Sequence, residues 1–419
     1  MKATKIFMMA ALALTFAACS NDDNDIAQQP DNNEITITAT VSSDDASTRA
    51  LSIDGSNIAS TWQTTDEFAI LYDDGMSDVK RVATVSSING STVTITFTIP
   101  SSLASNTACT IVYPASAANA TNTGADVATA LATQDGTIVN CPEVRVGTAT
   151  IDKDNHNLAG VTKLVAQNAI FKFTLQDLSA AAKSATEFKV SDNSGKVMTT
   201  VTPGSASGEL YVALPVMAVG TYWFNATIDS KPYIAKATTA ALTVAGKYYQ
   251  TTVKMATIGD VILDDGKFAV RTSTGTKVAM IAYLGSETGH ATYKHGLALA
   301  LSDKGAMNWS TATGASGAAA HTPAAPTTTT SSWMLPSKDQ WNKMIDACKN
   351  VLGTNNNYQD LRDGFSGISG ASNLQSSARY WSSTEGGSDS AWDYKFSDGS
   401  WHDDSKVHDF IRVRACLAF

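Results

Sequence analysis

The sequence predicts a mainly β protein: two tandem antiparallel β-sandwich domains, residues 34–160 and 161–256, then a C-terminal α+β domain, residues 257–419. Three observations predict it. Short runs of residues alternate apolar with polar side chains, the period of a half-buried strand. Gly and Pro interrupt those runs at short intervals, as turns require. The last stretch, from Trp333, combines one helical pattern with five of the eight Trp (333, 341, 381, 392 and 401).

Ile35, Ile37, Ala39 and Val41 alternate with Thr36, Thr38 and Thr40, which gives the opening strand. Asp66 to Tyr72 presents Phe68, Ile70 and Tyr72 on one face, and Val93, Ile95, Phe97 and Ile99 repeat the pattern before Pro100. Cys109 to Tyr113 is a shorter run ended by Pro114, and Ala115 to Thr133 reads as a loop of weak helical potential. The second set places Phe171, Phe173 and Leu175 inward on Ala169 to Leu175. It continues with Glu187 to Val190, Lys196 to Val201, Glu209 to Leu214, Thr221 to Ile228 and Tyr248 to Met255. Many short strands at this spacing indicate an antiparallel sandwich or two in tandem.

The C-terminal domain begins with a hairpin, Val261–Leu263 and Phe268–Val270 turning at Asp265-Gly266. Val278 to Leu284 and Gly296 to Leu301 continue as strands, and Thr311 to Ser332, with His321, Pro323 and Pro326, reads as an exposed low-complexity loop. Ser337 with Gln340 forms a capping box that opens a helix. Trp341, Met344, Ile345, Cys348 and Leu352 make its apolar face, and Gly353 ends it. A turn at Asp398-Gly399 follows, and the residues from Phe410 onward read as one closing strand.

Charge excludes one class of partner. Net charge is −9 and charged residues are 16%, below a typical ~25%. No Lys/Arg cluster exists to bind phosphates, so nucleic acid is not an expected partner. The N-terminus reads as targeting sequence, not fold. Lys2 and Lys5 precede a short apolar run, Ile6 to Phe16, and Leu14-Thr15-Phe16-Ala17-Ala18-Cys19 resembles the lipobox of bacterial lipoproteins. That resemblance implies residues 1–18 as signal peptide and Cys19 as the lipidated residue, an outer-membrane anchor. Residues 19–33 are an acidic tether, similar to the surface-export signal of Bacteroidetes lipoproteins. Outside the cytoplasm the remaining cysteines can pair. Cys348 with Cys416, and Cys109 with Cys141, are the candidate disulfides, against separate buried thiols.

Trp62-x-x-x-Asp66-Glu67-Phe68-Ala69-Ile70-Leu71-Tyr72, Ile111-Val112-Tyr113-Pro114, Tyr211-Val212-Ala213-Leu214-Pro215 and Ala245-Gly246-Lys247-Tyr248-Tyr249 occur in that order. Together they resemble the fimbrillin family of Bacteroidetes pilus subunits over about residues 34–256. The resemblance implies a fimbrial, cell-surface location. It also implies cleavage by an Arg-directed protease between Arg49 and Ala50, and partner subunits that complete the vacated fold with a donor strand. Tyr380-Trp381-Ser382-Ser383-Thr384-Glu385, Ala391-Trp392-Asp393-Tyr394-Lys395-Phe396 and Trp401-His402-Asp403-Asp404 look like a C-type-lectin-like module spanning about residues 258–419. That implies a glycan or protein ligand on a host or bacterial surface, and in such folds a helix Cys bonding a last-strand Cys is a familiar pairing.

Candidate ligand contacts are Trp401 and Trp392 as stacking rings, with Glu385, Asp403 and Asp404 beside them. Glu385, Asp393, Asp398, Asp403 and Asp404 are also the oxygens that Ca²⁺ would use; no other cofactor is expected. The Glu-Pro-Asn and Gln-Pro-Asp tripeptides of calcium-dependent sugar binders are missing, so solvated loop acids are the simpler reading. No Gly-x-Ser-x-Gly elbow, HExxH or phosphate loop is present, and no enzymatic activity is expected. The expectation is therefore a pilus tip or adhesin subunit, with an uncleaved surface lipoprotein that binds polysaccharide as the alternative.

Overall fold

The computed structural model describes residues 33–42, 52–54, 57–59, 62–160, 163–349 and 351–419. Mainly β structure is confirmed, arranged as four larger sheets and a small hairpin, Ser52–Asp54 with Asn57–Ala59.

The first sheet runs in spatial order Glu34–Ser42, Thr92–Pro100, Asp78–Asn89, Glu67–Asp73, Thr107–Tyr113, Arg145–Asp152 and Asn157–Ala159, with Val165–Ala166 also pairing on Arg145–Asp152. Every pairing is antiparallel. Its inner face collects Ile37, Val41, Phe68, Ile70, Ile95, Phe97 and Ile111, all buried. Trp62, Phe68 and Tyr113 close one end with ring centroids 5.0–5.3 Å apart.

The second sheet runs Glu209–Pro215, Asn168–Asp177, Tyr248–Thr257, Lys231–Thr239, Gly220–Ile228, Glu187–Asp192, Val197–Val201 and Thr133–Gln134. Two of its pairings are parallel: Asn168–Asp177 with Tyr248–Thr257, and Val197–Val201 with Thr133–Gln134. Phe171, Phe173 and Leu175 are buried with Phe188 and Phe224, as their alternation predicts. Ile170, on the opposite face, is buried too, against Leu71, Val112 and Tyr248 of a core shared between the first two sheets. Beside that core Gln134 ties two strands of the second sheet, accepting from the Ala213 N–H at 2.8 Å and donating to its carbonyl at 2.7 Å. Both of its amide ends are thus satisfied where desolvation would otherwise be costly.

Beyond Thr257 the chain builds two five-stranded sheets. One runs Phe268–Ala269, Val261–Leu263, Lys277–Leu284, Gly296–Ala300 and Cys416–Ala418; the other runs Gly305–Ala306, Arg412–Val413, Arg379–Glu385, Ser390–Lys395 and Ser400–Ser405. The helix Lys338–Cys348 lies on them, opened by the expected capping box. It stops at Cys348 with Lys349 as cap, before the predicted Gly353. Trp341, Met344, Ile345 and Cys348 form its buried face.

Two further expectations fail. The closing run is broken into Arg412–Val413 and Cys416–Ala418, which belong to different sheets. The break is at Arg414, fully buried, whose guanidinium bonds Asp303 Oδ1 (2.8 Å) and the carbonyls of Ala300 (2.9 Å) and Ser372 (3.0 Å). The 311–332 stretch is not simply exposed either. It includes part of the helix Trp309–Thr313, and Ala318, His321, Thr330 and Ser331 are buried because it covers the core around Trp333 and Trp381.

Candidate functional site

Cys19, Arg49 and Ala50 lie outside the described residues. The element just before Arg49 is described in full. Glu34–Ser42 pairs antiparallel with Thr92–Pro100 over nine residues, from Glu34 opposite Pro100 to Ser42 opposite Thr92. Alternation puts Ile37, Ala39 and Val41 into the core opposite Phe97, Ile95 and Val93, while Thr36, Thr38 and Thr40 face out. Each large apolar side chain buried this way contributes about 1.5–3 kcal/mol. The strand is the first in the sheet order, yet its outer edge is partly met. Thr38 N–H donates to the His156 carbonyl (3.0 Å), and Leu164 N–H donates to the Ser42 carbonyl (2.8 Å). The sheet therefore curls until its two ends touch.

The candidate disulfides are not formed. Cys109, Cys141, Cys348 and Cys416 are buried free thiols. Cys109 belongs to the first sheet's inner core, whereas Cys141 belongs to the junction core. Cys348 and Cys416 share a cluster, but the Cys348 thiol turns to the Ala282 carbonyl (3.4 Å) and the Cys416 backbone pairs with Met334. Burial pushes the Cys109 thiol up to about 12 and the other three higher still, so none is a reactive thiolate.

The tryptophan candidates lie on a hairpin, Ser390–Lys395 with Ser400–Ser405, turned at Asp398-Gly399. Gly399 has φ +74°, and a Cβ there would run into the Tyr358 ring, so the turn needs glycine. The register sets Tyr394 opposite Trp401 and Trp392 opposite Asp403, all on one face. Both tryptophans are half-buried, and Lys338 already covers them. Its ammonium lies 3.3 Å from the Trp392 centroid and 5.2 Å from that of Trp401. The Trp401 indole N–H donates to Asn342 Oδ1 (3.0 Å), and its ring meets Tyr394 edge-on at 5.0 Å. A sugar stacking on either ring would have to compete with that cation.

Three of the candidate acids, Glu385, Asp398 and Asp404, are spoken for in the same way. Glu385 pairs with Lys406 (2.9 Å) and Asp404 with Arg379 and, at 3.5 Å, His408. Asp398 pairs with Lys395 (2.7 Å), and hydrogen bonds from Lys395 and Ser400 hold its carboxyl well below the usual carboxylate range. Asp403 is exposed, and His402 donates to or accepts from Ser400 Oγ at 2.9 Å. Among the described residues no three His, Cys, Asp or Glu side chains gather as a metal site.

Sequence reasoning missed Lys338, hidden as the first helical residue after a cap. It also missed how completely Asp393 is buried. Asp393 is wholly enclosed beside Arg379 Nε at 3.8 Å, with neither carboxylate oxygen hydrogen-bonded among the described residues, and burial pushes it up to about 7 against the pull of Arg379. A lone Asp between two aromatics on a strand carries no signal of that.

No protein-family model and no curated protein matches the chain. Solved structures do match, at low similarity. A fimbrial protein from Bacteroides ovatus is 14% identical, covering 92% of this chain and 99% of its own, with a TM-score of 0.29. A fimbrial assembly protein from Parabacteroides distasonis is 11% identical over 52% of this chain and 90% of its own, with a TM-score of 0.29. A C-terminally truncated tip fimbrial protein from Porphyromonas gingivalis is 11% identical over 53% of this chain and 98% of its own, with a TM-score of 0.25. At such scores these matches carry no functional weight.

Proposed function

We propose that the chain is a surface pilus subunit of tip or adhesin type, lipidated at Cys19, cut between Arg49 and Ala50, and joined to a neighbouring subunit through the groove that Glu34–Ser42 vacates. One observation carries this reading. The strand directly upstream of Ser47-Thr48-Arg49-Ala50 is terminal in its sheet and has Ile37, Ala39 and Val41 in the core. Losing it would expose a row of unpaired backbone groups on Thr92–Pro100 and an apolar trough, which another chain's strand of the same alternation could fill. In this reading residues 258–419 are a lectin-like, non-catalytic unit at the outer membrane surface or fimbrial end that contacts a glycan or protein.

Digestion of the whole chain with an Arg-specific protease, followed by N-terminal sequencing, tests it. The expected product begins at Ala50, has lost Glu34–Ser42 and multimerises. Adding a peptide with the sequence of Glu34–Ser42 should block that multimerisation. An uncut chain, or a cut chain that stays monomeric without the peptide, counts against strand exchange. The contacts from His156 and Leu164 to the outer edge of the strand favour the second reading, an uncleaved lipoprotein that keeps its first strand and binds polysaccharide.

A further inference from the structure

A cleft of about 530 Å³ opens where the second sheet meets the segment after Thr257, within the ~300–1,000 Å³ range of small-molecule sites. Trp223 and Lys236, opposite each other in the register of adjacent strands, line it from one side. His295, Tyr293 and Thr329 line it from the other. The His295 ring stacks on Trp223 with centroids 3.9 Å apart and planes 17° apart. Burial lowers His295 to about 4, so the stacked imidazole is neutral.

The charge here is unbalanced. In a chain of net charge −9, the described residues lining this cleft include Lys236 and Lys267 and no Asp or Glu. Lys267 is paired with Asp265 at 2.6 Å. Among the described residues Lys236 makes no ion pair. Its ammonium donates to the Gly266 carbonyl (2.8 Å) and lies over the rings of Trp223 (5.6 Å) and Phe268 (5.2 Å). An ammonium has three donors, so this environment leaves room for an anion. Burial pulls Lys236 down to about 8, against the opposing pull of the Asp265 carboxylate, which is held by Lys267. The Trp223 indole N–H is buried and makes no hydrogen bond among the described residues. Around these groups the lining is neutral and hydrogen-bonding: Asn193, Thr221, Thr238 and Thr292.

We infer that this cleft binds a carboxylated sugar, with the carboxylate on Lys236 and the ring hydroxyls on the threonines and Asn193. A mixture of ammonium groups, an aromatic wall and several hydroxyls suits an acidic saccharide better than a fatty or purely aromatic ligand. The inference is independent of pilus assembly, because the cleft lies away from Glu34–Ser42 and remains whether or not that strand is lost.

The test uses the full chain titrated with glucuronate, N-acetylneuraminate and glucose, read by calorimetry and by the indole N–H resonances of the tryptophans. At least one acid should bind saturably in the millimolar range or tighter and shift the Trp223 resonance, assigned from its loss in Trp223→Phe. Glucose should bind at least about tenfold more weakly, and Lys236→Gln should weaken the acid by a similar factor. Lys236→Arg should retain it, and affinity should fall as pH rises past about 8. Lack of saturable binding by both acids overturns the inference, as does binding that Lys236→Gln leaves intact. If Lys236→Gln does not fold, Lys236→Arg and Thr238→Val decide the matter: an acid whose binding shifts no tryptophan resonance in either is bound elsewhere, and the inference fails.

Discussion

Asp393 occupies the middle of a hairpin strand with nothing among the described residues donating to its oxygens. Its folded value of about 7 stands above the ordinary 3.8, so the folded chain holds a proton that the unfolded chain has released between those two pH values. Stability from this group therefore falls as pH rises through that window, and the full cost is present above pH 7. Asp393→Asn should stabilise the protein at pH 8 by on the order of 1–3 kcal/mol, with a gain that shrinks toward pH 4, because Arg379 keeps Asp404 as partner. Thermal denaturation across that range checks the sign. Asp303 has the opposite character. It accepts from Arg414, from Arg412 (3.2 Å) and from the Tyr380 hydroxyl (3.0 Å), so Asp303→Ala strands a buried guanidinium. A loss of about 3–5 kcal/mol is expected in denaturant titration. Neither role was legible in sequence. Alternation says which side of a strand a residue takes, but not what lies over it. For the same reason Trp392 and Trp401 were readable as ring-bearing candidates, whereas Lys338 lying across them was not.

At the scale of elements, strands with clean alternation and firm stops could be read directly: Glu34–Ser42, Thr92–Pro100, Asn168–Asp177, Gly220–Ile228 and the hairpin at Gly266. Asp78–Asn89 escaped because its pattern is mostly exposed and its pairing with Thr92–Pro100 shifts register between Val85 and Ser87. The closing strand was misread because a buried Arg resembles an outward one in sequence. For the opening strand the alternation makes a quantitative contrast. Ile37→Ala should cost about 2–5 kcal/mol through the cavity it leaves, whereas exposed Thr36→Ala should change stability by less than about 0.5 kcal/mol. Equal effects in chemical denaturation would mean the strand does not present one face inward.

Across the whole molecule, apolar clusters ignore the boundaries between sheets. Trp223, Ile234 and Ala256 of the second sheet pack in one core with Ile262, Trp381 and Phe419. The connecting turn is pinned as well, with the Asp260 carboxylate accepting from Thr257 N–H (2.8 Å) and Arg271 donating to the Gly259 carbonyl (2.8 Å). Residues 168–257 and 258–419 should therefore melt as one calorimetric transition, and two resolved transitions would contradict a shared core. Sequence alone divided these segments, because turn signals mark where the chain bends and not which surfaces later fuse.

Arg414 and Asp303 stand 111 residues apart, and Gly296–Ala300 waits for Cys416–Ala418 to complete its sheet. A ribosome or a secretion channel delivering this polypeptide from its N-terminus would release the earlier strands long before their partners emerged. Val261–Leu263, Lys277–Leu284 and Gly296–Ala300 can pair as they emerge, but the free edge of Gly296–Ala300 must wait for the last residues of the chain, which makes the final closure of that sheet a slow, post-release event.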